Sequence, residues 1–180
     1  MLNNINVSGL SEMTQEVMEV PAEGIAKYGI ELNWVSGTRM DVKTIPMQLG
    51  NYKLVRDFKF EVDEPAQLGG INKAPNPQEY LLAGVASCVA VTFMTGATTN
   101  KVAIEHLRIK LEGELDLAGF LGLKAQFHPG FDQLNMNIEI KADASKEVLN
   151  KIMDNVKRYS PNFNNMENVV KINPNLIILK

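Results

Sequence analysis

From Tyr80 to Asn100 the chain reads YLLAGVASCVAVTFMTGATTN, without one charged side chain. About 20 predominantly apolar residues suffice to cross a bilayer, so the run is long enough for that. It is diluted, however, by Gly84, Ser87, Thr92, Thr95, Gly96, Thr98 and Thr99, and only Asn100 and Lys101 flank it as polar residues. A helix that is apolar and small all round is more simply buried in a protein core or subunit interface, and that is the expectation here, with no membrane partner. The run also holds the only cysteine, Cys88. By its surroundings this thiol is either a small core hydrophobe or a guarded nucleophile.

The rest of the chain narrows the class. Its 180 residues suit one domain over 1–180, with 1–25 as an N-terminal helical extension, and can bury a core without disulfides or metal. A net charge of −3, with basic residues interleaved among acids, gives no field for nucleic acid. The start, MLNNINVSGLSEMTQ, lacks a basic leader and an apolar stretch. With a single cysteine, this favours a reducing, cytoplasmic home. His106 and His128 lie 22 residues apart without ligand spacing, so neither a metal nor a cofactor is expected.

Periodicity organises the chain as α+β. Residues 11–19 predict a short helix capped by Ser11 and ended before Pro21. IELNWVSG and TRMDVKTI alternate as two strands joined near Ser36-Gly37, and YKLVRDFKFEVDEP continues with β character to Pro65. DEPAQLGGINKAPNPQ is a loop. A long helix follows, with Asn76 as N-cap and Pro77 in the first turn, running to about Thr99. EHLRIKLEGELDL is a strand with Leu107, Ile109 and Leu111 on one face; AGFLGLKAQFHPG is a connection; LNMNIEIKAD alternates again. Residues 145–159 change to helical period, capped by Ser145. VVKINPNLIIL predicts a last strand interrupted at Pro174.

Several segments share a resemblance. APNPQEYLLAGVASC resembles the signature of the OsmC/Ohr family, the osmotically induced and organic-hydroperoxide-resistance proteins, in which a Pro-x-Glu-x-Leu-Leu helix start leads to a cysteine at this distance. WVSGTR is similar to the family's early Trp-x-x-Gly-x-Arg strand, DEPAQLGG to its loop, and EGELDLAGFLGL and RYSPNF to segments of one OsmC-like branch. The resemblance implies an OsmC-like fold: an antiparallel sheet packed on a long buried central helix in an intertwined homodimer. It also implies thiol-dependent reduction of small organic hydroperoxides, in which a peroxidatic cysteine becomes a sulfenic acid and a second cysteine resolves it. Cys88 matches the peroxidatic position, and Arg39 the arginine that holds the thiolate. Glu79 matches the glutamate of the wider OsmC pattern; Ohr proteins place theirs one residue earlier, here Gln78. The resolving position falls on Ser160, which forms no disulfide, so an external thiol must act as reductant.

Elementary chemistry gives a parallel reading. A free cysteine ionises near 8.5, and burial in an apolar helix works against its thiolate. Cys88 lies about three turns into the expected helix, beyond the reach of the helix dipole, so a reactive thiol there needs a cation. Of the four arginines, Arg39, Arg56, Arg108 and Arg158, only Arg39 also carries the family match. Glu79 and Cys88, nine residues apart, are separated on a straight helix by about 180° and about 13–14 Å. If both serve one site, a long arginine bridges them around a bent helix start or a second subunit supplies one of them. An all-round apolar helix also needs more cover than one thin sheet gives. Both points favour a homodimer. The non-catalytic alternative is a dimer groove that binds an apolar small molecule, or senses redox state, with Cys88 in it.

Overall fold

The computed structural model describes residues 1–123 and 128–179. The chain divides into two compact units, one of Met1 and residues 3–83, the other of Leu2 and residues 84–180. Part of the AGFLGLKAQFHPG connection lies outside the described residues.

In the first unit, α1 spans Val7–Glu19 and so begins earlier than 11. Its cap is Asn6, whose Oδ1 accepts from the Gly9 N–H at 3.2 Å, not Ser11. Six short strands follow: β1 (Ala26–Lys27), β2 (Ile30–Ser36), β3 (Arg39–Thr44), β4 (Met47–Leu49), β5 (Tyr52–Leu54) and β6 (Lys59–Val62). They form two antiparallel sheets, ordered β1-β4-β5 and β2-β3-β6. The two expected strands are β2 and β3, and the turn between them needs Gly37, whose φ is +55°. In register, Leu32, Val42 and Phe60 make one row and Trp34, Met40 and Val62 the next. Alternation put these apolar side chains on one face, yet Trp34 is 69% exposed in the chain by itself.

The long helix α2 is Pro77–Thr99, as its cap and Pro77 predict, and the dividing point of the two units falls inside it. Asn76 Oδ1 accepts from the Glu79 N–H at 2.9 Å while Glu79 Oε2 accepts from the Asn76 N–H at 2.8 Å. That reciprocal pair is a capping box. The helix closes with a Schellman motif: Lys101 takes φ +59°, its N–H donates to Thr98 O and the Val102 N–H to Ala97 O.

In the second unit, β7 (Ile104–Gly113) and β8 (Leu134–Ala142) pair antiparallel, with Leu107 opposite Ile140, Ile109 opposite Ile138 and Leu111 opposite Met136. Between them a short helix, α3, covers Leu117–Phe120. Then come α4 (Lys146–Tyr159), capped by Ser145 as expected, and α5 (Pro161–Glu167), which periodicity did not reveal. The core of this unit is Val89, Phe93 and Ala97 of α2 with Val102, Ile152 and Val156, floored by Ile109, Met136, Ile138 and Ile140. Val85, Val89, Phe93 and Ala97 form a stripe four residues apart, the repeat that keeps side chains on one helical face. The opposite stripe, Ala83, Ser87 and Val91, is exposed, Val91 to 66%. By length and composition alone α2 could cross a membrane, but its buried stripe is committed to its own chain's core.

The expected last strand does not form: residues 168–179 carry no strand. Pro174 cannot donate to a ladder, and among the described residues the apolar run beyond it pairs with no strand; its Leu176, Ile177, Ile178 and Leu179 are exposed by 73% or more.

Candidate active site

Cys88 lies on α2, half-buried and free. What faces its sulfur is the corner between α4 and α5. The α4 helix is amphipathic, and Ile152 and Val156 seat it in the core. It ends where the Ser160 N–H donates to Val156 O at 2.9 Å, and Pro161 starts α5 in the next step. The Asn164 side chain closes the corner by donating to Lys157 O at 3.1 Å and Ser160 O at 2.9 Å. Fixed in this way, the fully buried Ser160 hydroxyl donates to Cys88 Sγ at 3.3 Å, and the Asn162 N–H points at the same sulfur at 3.4 Å. The Asn162 side chain donates to Gly84 O at 2.9 Å. The position read from the sequence as the resolving site thus touches the thiol, and it brings a hydroxyl. That arrangement sets two hydrogen-bond donors on the sulfur; it cannot close a disulfide.

Beside this corner, within the same unit, lies a cavity of about 270 Å³ lined by Val85, Leu111, Met136, Phe163 and Met166, with Asp132 and Glu167 also on its wall. His106 is on the solvent-facing side of β7, and His128 Nδ1 accepts from the Gly130 N–H. Among the described residues no group of three His, Cys, Asp or Glu could hold a metal ion.

The other two candidate residues are in the first unit. Arg39 opens β3, and its guanidinium lies 3.8 Å from Glu61, which also lies 3.9 Å from the Lys73 ammonium. Glu79 is the capping carboxylate of α2. Tyr80, next along that helix, donates its hydroxyl to Glu61 O at 2.6 Å and sets its ring 5.0 Å from that of Phe60. In this chain, then, the carboxylate beside Arg39 is Glu61, a residue that sequence reasoning did not single out.

Asp63 was missed as well. It is 1% exposed and accepts four hydrogen bonds: from the Thr38 hydroxyl at 2.7 Å and from the N–H groups of Glu64, Ile71 and Lys73 at 2.9, 3.1 and 3.0 Å. Burial pushes its carboxyl up, but these donors outweigh burial and hold its pKa at about 2. The loop must fold back tightly for this, and Gly70 permits it, since a Cβ there would collide with the Glu64 carbonyl. One carboxylate therefore ties Thr38, the neighbour of Arg39, to the loop before α2. The signal available was an Asp opening a Pro- and Gly-rich stretch, the setting in which Asp side chains bind nearby backbone.

The chain has relatives among known proteins. The family model for OsmC-like proteins matches residues 70–175, which include Glu79, Cys88 and Ser160 and begin after Arg39. No curated protein matches significantly. Among solved structures, an OsmC-like protein from Mycoplasma pneumoniae superposes with a TM-score of 0.60 at 21% identity, covering 79% of this chain and 89% of that one. An OsmC-like protein from Vibrio cholerae gives 0.60 at 11% identity, covering 78% and 93%. An organic hydroperoxide resistance protein from Elizabethkingia anophelis gives 0.50 at 18% identity, covering 79% and 89%. The α+β fold is the one these proteins share, and the chain belongs to the OsmC-like protein family.

Proposed function

We propose that this protein is a one-cysteine thiol peroxidase that reduces small organic hydroperoxides. The observation that carries the reading is a half-buried thiol with two hydrogen-bond donors on its sulfur, in a chain of this family. The likeness to a hydroperoxide resistance protein supports the substrate class. The Cys88 thiolate attacks the terminal peroxide oxygen and the O–O bond breaks. The alkoxide leaves with a proton as the alcohol, and Cys88 remains as sulfenic acid. An external thiol then attacks that sulfur, releasing water and forming a mixed disulfide. A second external thiol frees Cys88 and leaves as the reductant's disulfide.

Arg39 is the cation of this reading, with Glu79 orienting it in an assembled homodimer; in the chain by itself Glu61 is the carboxylate beside Arg39. The homodimer is supported by apolar side chains open to solvent on α2 and β2, Val91 and Trp34 among them. A cytoplasmic setting suits a single reduced thiol. A second, non-catalytic reading, that the protein binds an apolar small molecule or senses redox state, is favoured by the cavity near the α4–α5 corner, where Val85, Leu111, Met136, Phe163 and Met166 present apolar surface beside Asp132 and Glu167.

Mass spectrometry decides between them. Substoichiometric cumene hydroperoxide with dimedone should label Cys88 once, as the sulfenic acid adduct; a Cys88 that stays reduced rules out the enzyme. Arg39→Ala should slow alkylation of Cys88 at neutral pH, and Arg39→Lys should recover only part, for want of the planar fork. An unchanged rate in Arg39→Ala removes that residue from the site.

A further inference from the structure

The Asn162 side chain has no part in the chemistry above, yet the residue makes two contacts at once. Its side-chain amide donates to Gly84 O at 2.9 Å while its backbone N–H points at Cys88 Sγ at 3.4 Å. Gly84 stands four residues before Cys88, so its carbonyl is the one that the Cys88 N–H meets in an α-helical ladder. The amide therefore grips the very peptide that anchors the backbone of the thiol. We propose that Asn162 is a positioning residue: its side chain locks the α4–α5 corner onto α2 at the spacing that aims its own N–H at the sulfur. The functional meaning of this rests on the thiol-peroxidase reading; the geometry does not.

The local chain explains why this donor is available. The Ser160 N–H is used by Val156 O, Pro161 has no N–H, and the Asn164 N–H is used by Ser160 O. Asn162 supplies the next N–H, one of those at a helix start that have no acceptor within their own helix, and its partner is the sulfur. A donor favours the charged form of the group it serves, and bonds to an ionised acceptor are about twice as strong as neutral ones. The Ser160 hydroxyl can rotate away to another acceptor. A backbone N–H cannot, provided the backbone is held, and the Asn162 amide holds it.

The test is the pH–rate profile of Cys88 alkylation by iodoacetamide in wild type, Asn162→Ala and Asn162→Gln, each with a thermal melt. Asn162→Ala should displace the profile to higher pH and cut the neutral-pH rate by about tenfold. Asn162→Gln, which keeps an amide on a longer arm, should regain part of that loss. A profile for Asn162→Ala that superimposes on wild type overturns the proposal, whatever happens to the melting temperature, since a merely structural role predicts that result. Should neither variant fold, the wild type still decides: in the ¹⁵N-labelled protein the Asn162 amide resonance should move with the midpoint of the alkylation profile, and a resonance that ignores it is equally fatal. No peroxide is used, so a wild type that forms no sulfenic acid defeats the peroxidase reading alone. An unmoved profile in Asn162→Ala defeats the positioning role alone.

Discussion

Replacing Ser160 with cysteine sets a second thiol where a hydroxyl now lies 3.3 Å from Cys88 Sγ. A disulfide closes at about 2.05 Å with Cα atoms within about 7 Å, so the two side chains need approach by only about 1.3 Å, part of which the longer carbon–sulfur bond supplies. The closed loop spans 72 residues, for which the chain-entropy relation gives about 4 kcal/mol of stabilisation at 25 °C, less any strain in the native state. One equivalent of cumene hydroperoxide should convert Ser160→Cys to a species about 2 Da lighter that has no free thiol. Cys88 first becomes sulfenic acid, and the introduced thiol then attacks it and releases water. Guanidinium unfolding with and without reductant should show the oxidised form more stable by up to about 4 kcal/mol, and reductant should abolish the difference. Two free thiols in a folded, peroxide-treated variant mean that Cys88 is not peroxidatic. A dimedone adduct without the disulfide leaves the chemistry standing and refutes the placement of the α4–α5 corner.

Two further outcomes follow from the first unit and from α2. Asp63, held at about 2 against an ordinary 3.8, contributes stability that is fully present above pH 3.8 and is lost as pH falls through about 2. Urea midpoints measured down that range should fall for wild type and flatten in Asp63→Asn; parallel curves would show that the carboxylate is not the acid-sensitive group. Val91, exposed in the single chain, should lie in the homodimer interface. Light scattering at low micromolar concentration should give a dimer for wild type and a monomer for Val91→Glu, and a monomeric wild type removes the shared-site argument.

The elements best legible in the sequence were those whose signals are local. Asn76 and Ser145 announced their helices because a capping side chain bonds within its own turn, and β7 and β8 were plain because one face of each is core. The start of α1 was misplaced because Asn6 and Ser11 are both good caps and only the folded chain chooses between them. The segment after Asn168 reads as a strand by composition, but a strand is a property of a pair, and β propensity carries no information about whether a partner exists. Helix α5 is seven residues with little apolar repeat, and its importance comes from what Asn162 and its neighbour Ser160 face. The candidate site divides in the same way. Cys88 stood out as the only cysteine, Ser160 was singled out through family resemblance, and Glu79 was equally readable as a first-turn acid, the role its capping bond displays. Asp63 and the Glu61 contact of Arg39 were invisible because their partners are distant backbone and a neighbouring strand, brought close only by the fold.

Position 160 has a kinetic consequence. A thiol fixed against a sulfenic acid acts at an effective molarity that for well-oriented groups reaches on the order of 10⁵ M or more, whereas a thiol in solution acts only at its own concentration. With oxygen in place of sulfur at the buried side chain that touches Cys88, the slow half of the proposed cycle becomes bimolecular. Turnover then rises in proportion to the reductant supplied. The lifetime of the oxidised sulfur becomes a reading of how much thiol the surroundings contain.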